Sequence, residues 1–85
     1  MDYHPLELFG QHLVKLRKTR GWSQERLALE SGLARSYLGG IERGQRNLAL
    51  INICILAETL EVAPSEMLNF FPQKRAKAEP AGRKS

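Results

Sequence analysis

Apolar residues in this chain recur at helical spacing and nowhere alternate in the way a half-buried strand would. Phe9, Leu13 and Leu16 stand at i, i+4 and i+7, which predicts one apolar stripe on a helix over about 6–20. Lys15, Lys18 and Arg20 lie off that stripe, and Gly21 is a natural C-terminal stop. Arg17 neighbours Leu13 and Leu16 on the wheel and is expected to be partly covered. A second helix over about 23–31 starts at Ser23, a good N-cap, with Glu25 in its first turn favouring the helix dipole. Leu27 is its core residue, Ala28 lets another helix come close, and Gly32 ends it in a left-handed conformation.

The third helix is predicted over about 34–43. At 100° per residue, Tyr37, Leu38 and Ile41 share one side, and Arg35, Ser36, Gly39, Gly40 and Arg43 share the other. The polar loop Gly44 to Asn47 leads to a fourth helix over about 49–60. Leu50, Ile53, Leu56, Ala57 and Leu60 form one stripe on it, and Ile51, Cys54 and Ile55 add a second apolar face. A helix apolar nearly all round is covered on more than one side. A chain of this size has little interior, so contact with a second copy is the expected cover. Pro64 fits the first position of a short fifth helix over about 65–70, rich in Met67, Leu68 and Phe70. The fold class is therefore all-α, five helices in one domain over 1–72. The basic segment 73–85 has no apolar periodicity and is expected to be disordered.

The stretch from Gln24 to Ile41 organises the rest. Two short helices on either side of Gly32 have the spacing of a helix-turn-helix, whose second helix enters the DNA major groove. Charge agrees with that reading. All eight basic residues before residue 73 lie between Lys15 and Arg46, opposed there only by Glu25, Glu30 and Glu42. Residues 47–72 carry Glu58, Glu61 and Glu66 and no Lys or Arg. One end of the domain is basic and the other acidic, so a polyanion is steered to the Lys15–Arg46 end.

Other chemistry is thin. One cysteine, Cys54, makes no internal disulfide or metal cluster and fits a reducing cytosol, and a DNA-binding chain there would be nucleoid-associated. Cys54 is read as a small core or interface residue, and His4 and His12 as surface residues without companion ligands. The apolar run 48–56 is too short to span a bilayer, and no signal peptide pattern is present. No paired carboxylates, nucleophile–base pair or phosphate-binding glycine loop is found, so an enzyme is not expected, and neither a cofactor nor a small-molecule ligand is implied.

The segments FGQHLVKLRKTRGWSQERLALESGLARSYLGGIERGQRN and LINICILAETLEVAPSEML resemble the phage repressor and Cro type of helix-turn-helix protein, the XRE family. In length and order the chain looks closest to the controller proteins of restriction–modification systems. The resemblance implies a regulator of transcription that binds a pseudo-palindromic DNA operator as a homodimer. By position, Arg35, Ser36 and Tyr37 would meet base edges, and Gln24, Arg43, Arg46 and Asn47 the DNA backbone. Arg17 and Glu42 match a structural ion pair of the family. Three positions depart from its pattern: Ala34 and Ala49 stand where a Ser or Thr cap is usual, and Gly40 where relatives carry a longer side chain.

Arg35 can present two donors to guanine O6 and N7, the commonest specific contact in the major groove. Gly39 and Gly40 each cost about 1 kcal/mol of helix propensity relative to Ala. They either allow close backbone approach to DNA or are tolerated weak spots on a surface helix. Ile51, Ile55, Met67, Phe70 and Phe71 are the expected dimer-interface residues. A second class of function, an antitoxin-type protein-interaction module with autoregulatory DNA binding, would need a toxin-binding extension, and 73–85 offers little apolar surface for one.

Overall fold

Seven large side chains with 0–1% exposure form the centre of the core, and every helix contributes at least one. They are Leu13, Leu27, Leu38, Ile41, Leu56, Leu60 and Met67. Burying each stabilises the fold by roughly 1.5–3 kcal/mol before the entropy of ordering is counted. The computed structural model describes residues 1–71. Among them the elements are α1 (Pro5–Thr19), α2 (Gln24–Ser31), α3 (Arg35–Glu42), α4 (Leu50–Leu60) and α5 (Pro64–Met67). The five predicted helices are all present, and no strand occurs among the described residues. The expectations for 73–85 and for Pro72 lie outside the described residues.

α3 packs chiefly on α1 and α2, while α4 packs on α5 and α2. The closest approach in the first group is at Gly10, in the middle of α1. A Cβ there would lie 2.7 Å from the Glu42 carbonyl oxygen and would also collide with the carbonyl of Ile41. Backbone cannot yield as a side-chain tip can, so only glycine lets α1 lie this close to the end of α3. The apolar stripe of α1 could not reveal this, because Gly10 adds nothing to it.

α1 and α3 end in the same device. Gly21 (φ +75°) and Gly44 (φ +76°) are left-handed. Trp22 N–H then donates to the Arg17 carbonyl, and Gln45 N–H to the Gly40 carbonyl. These are Schellman closures, which satisfy the orphan carbonyls of the last turn. Gly32 ends α2 at φ +79°, as its sequence position implied. Ser23 Oγ accepts from Arg26 N–H at 3.0 Å, the predicted N-cap bond. Ala34 and Ala49 cap α3 and α4 without any side-chain hydrogen bond.

Several expectations are corrected. α5 is four residues long, Pro64–Met67, rather than reaching residue 70. Leu50 does not join the core stripe of α4: it is 73% exposed. It is the first residue of α4, one turn before the half-buried Ile53 and two before the buried Ala57, so the apolar stripe reaches the core only in the later turns of the helix. Met67 is fully buried inside the protomer and has no surface to offer a partner. Cys54 is exposed on α4, which removes the core half of its reading and leaves the interface half. His12 is not a surface residue: its Nε2 lies 2.6 Å from the Glu66 carbonyl oxygen and joins α1 to α5.

Candidate nucleic-acid interface

Arg17 and Glu42 form the anchor beneath the site. Arg17 Nε donates to Glu42 Oε2 at 2.8 Å and Nη2 to Oε1 at 3.0 Å, a two-pronged pair between α1 and the end of α3. Both side chains are nearly buried, at 11% and 7% exposure. Arg17 Nη1 also donates to the Trp22 carbonyl at 2.9 Å, which fixes the turn into α2. The Glu42 hydrogen bond raises the Arg17 pKa above its ordinary value, against the lowering effect of burial. The pair expected from the family pattern is thus formed.

Gln24 builds upward from that anchor. Its Nε2 donates to Glu42 Oε1 at 2.8 Å, so its Oε1 faces away and accepts from Arg35 Nη1 at 3.1 Å. Arg35 opens α3 with no cap beneath it, and its side chain is 56% exposed. Its Nε also sits 3.5 Å from the Glu25 carboxylate on α2. The guanidinium is therefore held against α2 by the half-buried Gln24 and the exposed Glu25, and both contacts can be exchanged for a ligand. A surface ion pair of this kind contributes only ~0–1 kcal/mol, so releasing it costs little. Ser36 is exposed beside it.

The two glycines of α3 are explained by neither reading of their sequence position. Both point away from the core, yet both are buried, because arginine side chains lie over them. A Cβ on Gly39 would meet Arg43 Nη1 at 3.1 Å and Gln24 Oε1 at 3.5 Å. A Cβ on Gly40 would meet Arg46 Cγ at 2.9 Å. The missing side chains form a shallow channel across α3. Arg46 uses it to reach Tyr37, with its guanidinium carbon 5.7 Å from the ring centre. Arg43 is exposed, and its Nε donates to Gln45 Oε1 at 3.2 Å. Gln24, Arg35, Ser36, Tyr37, Arg43 and Arg46 therefore share one surface.

Asn47 sits apart from that group, exposed beside the groove formed by Pro5, Leu6 and Phe9. Tyr37 is half-buried, and its hydroxyl accepts a hydrogen bond from Asn52 Nδ2 on α4 at 3.0 Å. Sequence reasoning missed Asn52 and Glu25. Glu25 was legible as a dipole residue only, and Asn52 sat inside an apolar run that pointed to packing. Trp22 is clasped by Arg20 and Arg26, each 4.7 Å from its ring centre, so two more cations are fixed at the start of α2.

α2 and α3 thus form a helix-turn-helix whose exposed side carries cations and hydrogen-bond donors, the surface of a double-stranded DNA reader. The helix-turn-helix family model HTH_3 matches residues 13–67. The chain belongs to this helix-turn-helix family of DNA-binding transcriptional regulators. It is 44% identical over 64 residues to the control protein C.BamHI of Bacillus amyloliquefaciens, spanning 74% of this chain and 79% of that one. The restriction–modification controller protein C.AhdI from Aeromonas hydrophila superposes with a TM-score of 0.74 at 55% identity, over 76% of this chain and 98% of that one. The controller protein C.Esp1396I, solved as a tetramer on its natural 35-base-pair operator, superposes with a TM-score of 0.70 at 36% identity. That likeness covers 79% of this chain and 92% of C.Esp1396I. Among the described residues no helix is long and apolar enough to cross a membrane, and no group of three or more metal-ligating side chains occurs.

Proposed function

We propose that this protein is a sequence-specific transcription regulator of the restriction–modification controller type, acting as a homodimer on a pseudo-palindromic operator. It works by binding rather than by catalysis. α3 enters the major groove with Arg35 and Ser36 at base edges and Tyr37 at their margin, while Gln24, Arg43 and Arg46 hold phosphates and Asn47, set apart from them in the loop after α3, takes a flanking phosphate.

The observation that carries this reading is the position of Arg35. It stands at the first residue of α3, exposed, at the open end of a hydrogen-bonded chain that starts at the buried Arg17–Glu42 pair. That placement gives its planar fork a defined origin, which bidentate contact with guanine requires. The likeness to the controller proteins C.BamHI and C.AhdI and to the C.Esp1396I operator complex supports the same reading.

Dimerisation is assigned to the outer side of α4. Leu50 and Ile51 are 73% and 69% exposed there, beside Cys54 and Ile55. Ile51, Ile55, Val62 and Pro64 line a shallow groove of about 450 Å³. Contiguous exposed apolar residues of this kind mark an interaction surface. Phe70 and Phe71 belong to a different patch: Phe70 stands edge-on to Phe9 and Phe71 edge-on to Tyr3. The proposed interface is accordingly centred on Ile51 and Ile55 with their neighbours, with Phe70 and Phe71 as a separate apolar patch.

Selecting bound duplexes from a random pool tests the proposal. The expected product is a motif of two inverted half-sites with centres about 34 Å apart along the duplex, one helical turn. Recovery of single half-sites, or of no motif, would refute it.

A further inference from the structure

Asn52 belongs to α4 and lies outside the group of residues assigned above to DNA. It nevertheless makes the hydrogen bond that decides what Tyr37 can do. A tyrosine hydroxyl has one proton to give and lone pairs to receive with. Asn52 Nδ2 donates to the hydroxyl at 3.0 Å, which fills a lone pair and leaves the proton unused. Among the described residues no other group hydrogen-bonds that hydroxyl. Arg46, the other neighbour, stands over the ring and has only donors. A phosphate oxygen is acceptor only, so a hydroxyl with its proton turned outward is what it needs.

We propose that Asn52 is a positioning residue for DNA binding: it holds Tyr37 as a phosphate donor and holds the ring on which Arg46 rests. The inference depends on the reading that α3 faces the duplex. Asn52 itself does not touch DNA. It acts from the first turn of α4, where its own N–H is tied to the Ala49 carbonyl at 3.0 Å. The opposite amide orientation, with Oδ1 accepting the tyrosine proton, would remove the donor from DNA, and experiment separates the two.

The test is the affinity of full-length protein for the selected duplex, with Asn52→Asp, Asn52→Leu, Tyr37→Phe, the double variant Asn52→Asp with Tyr37→Phe, and Arg35→Ala in parallel. A carboxylate at position 52 can only accept, so it captures the tyrosine proton. Asn52→Asp is expected to weaken binding about tenfold more with Tyr37 present than in the Tyr37→Phe background, where only its charge acts. Asn52→Leu should lose less than Asn52→Asp, because it leaves the proton free. Thermal melting of each variant keeps unfolding apart from lost contact. In the free protein, the Asn52 side-chain amide resonances should shift on Tyr37→Phe.

Equal loss from Asn52→Asp with and without Tyr37, or tighter binding by Asn52→Leu, overturns the inference. So do amide resonances that ignore Tyr37→Phe. If Arg35→Ala weakens binding while positions 52 and 37 show no coupling, only the positioning role fails. If neither Arg35→Ala nor Tyr37→Phe weakens binding, the assignment of α3 to DNA fails with it.

Discussion

Arg46 crosses α3 in the space that Gly40 leaves empty: a Cβ on Gly40 would stand 2.9 Å from Arg46 Cγ. Cγ is close to the root of the side chain and cannot move without turning the whole arginine away from Tyr37. Gly40→Ala is therefore expected to hold or raise the melting temperature, since alanine gains about 1 kcal/mol of helix propensity. The same change should weaken DNA binding. At Gly39 the nearest atom is the tip of Arg43, 3.1 Å away, which yields easily. Gly39→Ala should keep affinity within about twofold, an effect of a few tenths of a kcal/mol. A large loss at Gly39 with affinity retained at Gly40 would mean that DNA backbone, and not arginine, needs the space.

Arg46→Ala should lower the slope of log affinity against log salt by about one, the release of one counterion. Titrations at several salt concentrations measure this directly. A slope equal to that of the native protein would take Arg46 out of the phosphate-binding set.

Arg35→Ala is expected to cost about 1–3 kcal/mol on the operator and to leave weak, salt-sensitive binding to random duplex. Competition between the two duplexes reads the difference. Equal loss on both would make Arg35 a phosphate contact that positions without specifying.

Ile51→Asp and Ile55→Asp should yield monomers in sedimentation and weaken operator binding, because a buried unpaired charge is costly at an apolar interface. Met67→Ala makes the contrast. It should cost about 2–5 kcal/mol of folding stability as a core cavity, with dimerisation following stability alone. Dimers that survive both aspartates would move the interface off α4.

Glu42→Ala should destabilise the fold by about 3–5 kcal/mol, because it leaves the Arg17 guanidinium buried with only the Trp22 carbonyl. Chemical denaturation measures the loss. The raised Arg17 pKa also fixes the sign of one pH effect. A group whose pKa is higher in the folded state stabilises below its unfolded value and loses that effect as pH rises through the folded value. Arg17 is already strongly basic, so its contribution should stay constant from neutral to moderately alkaline pH.

The helices were legible because each announces itself locally. Phe9, Leu13 and Leu16 repeat at helical spacing, Ser23 caps and Gly21 and Gly32 stop, and these signals act within a few residues. The placement of α2 and α3 around Gly32 follows from them. The reading surface was legible in outline, since Arg35, Ser36 and Arg43 share one side of a helix whatever that helix packs against.

What the sequence determined alone is the all-helical class, the helix-turn-helix and the basic end of the domain, all of which rest on short-range order and charge. Tertiary structure decided what depends on distances between remote segments. It closed the Arg17–Glu42–Gln24–Arg35 chain across 25 residues, sent Met67 into the core and turned Leu50 outward. It also gave Gly39 and Gly40 their role. A glycine records only that a side chain is missing, and which neighbour fills the space is settled when α3 meets Arg43, Arg46 and Gln24.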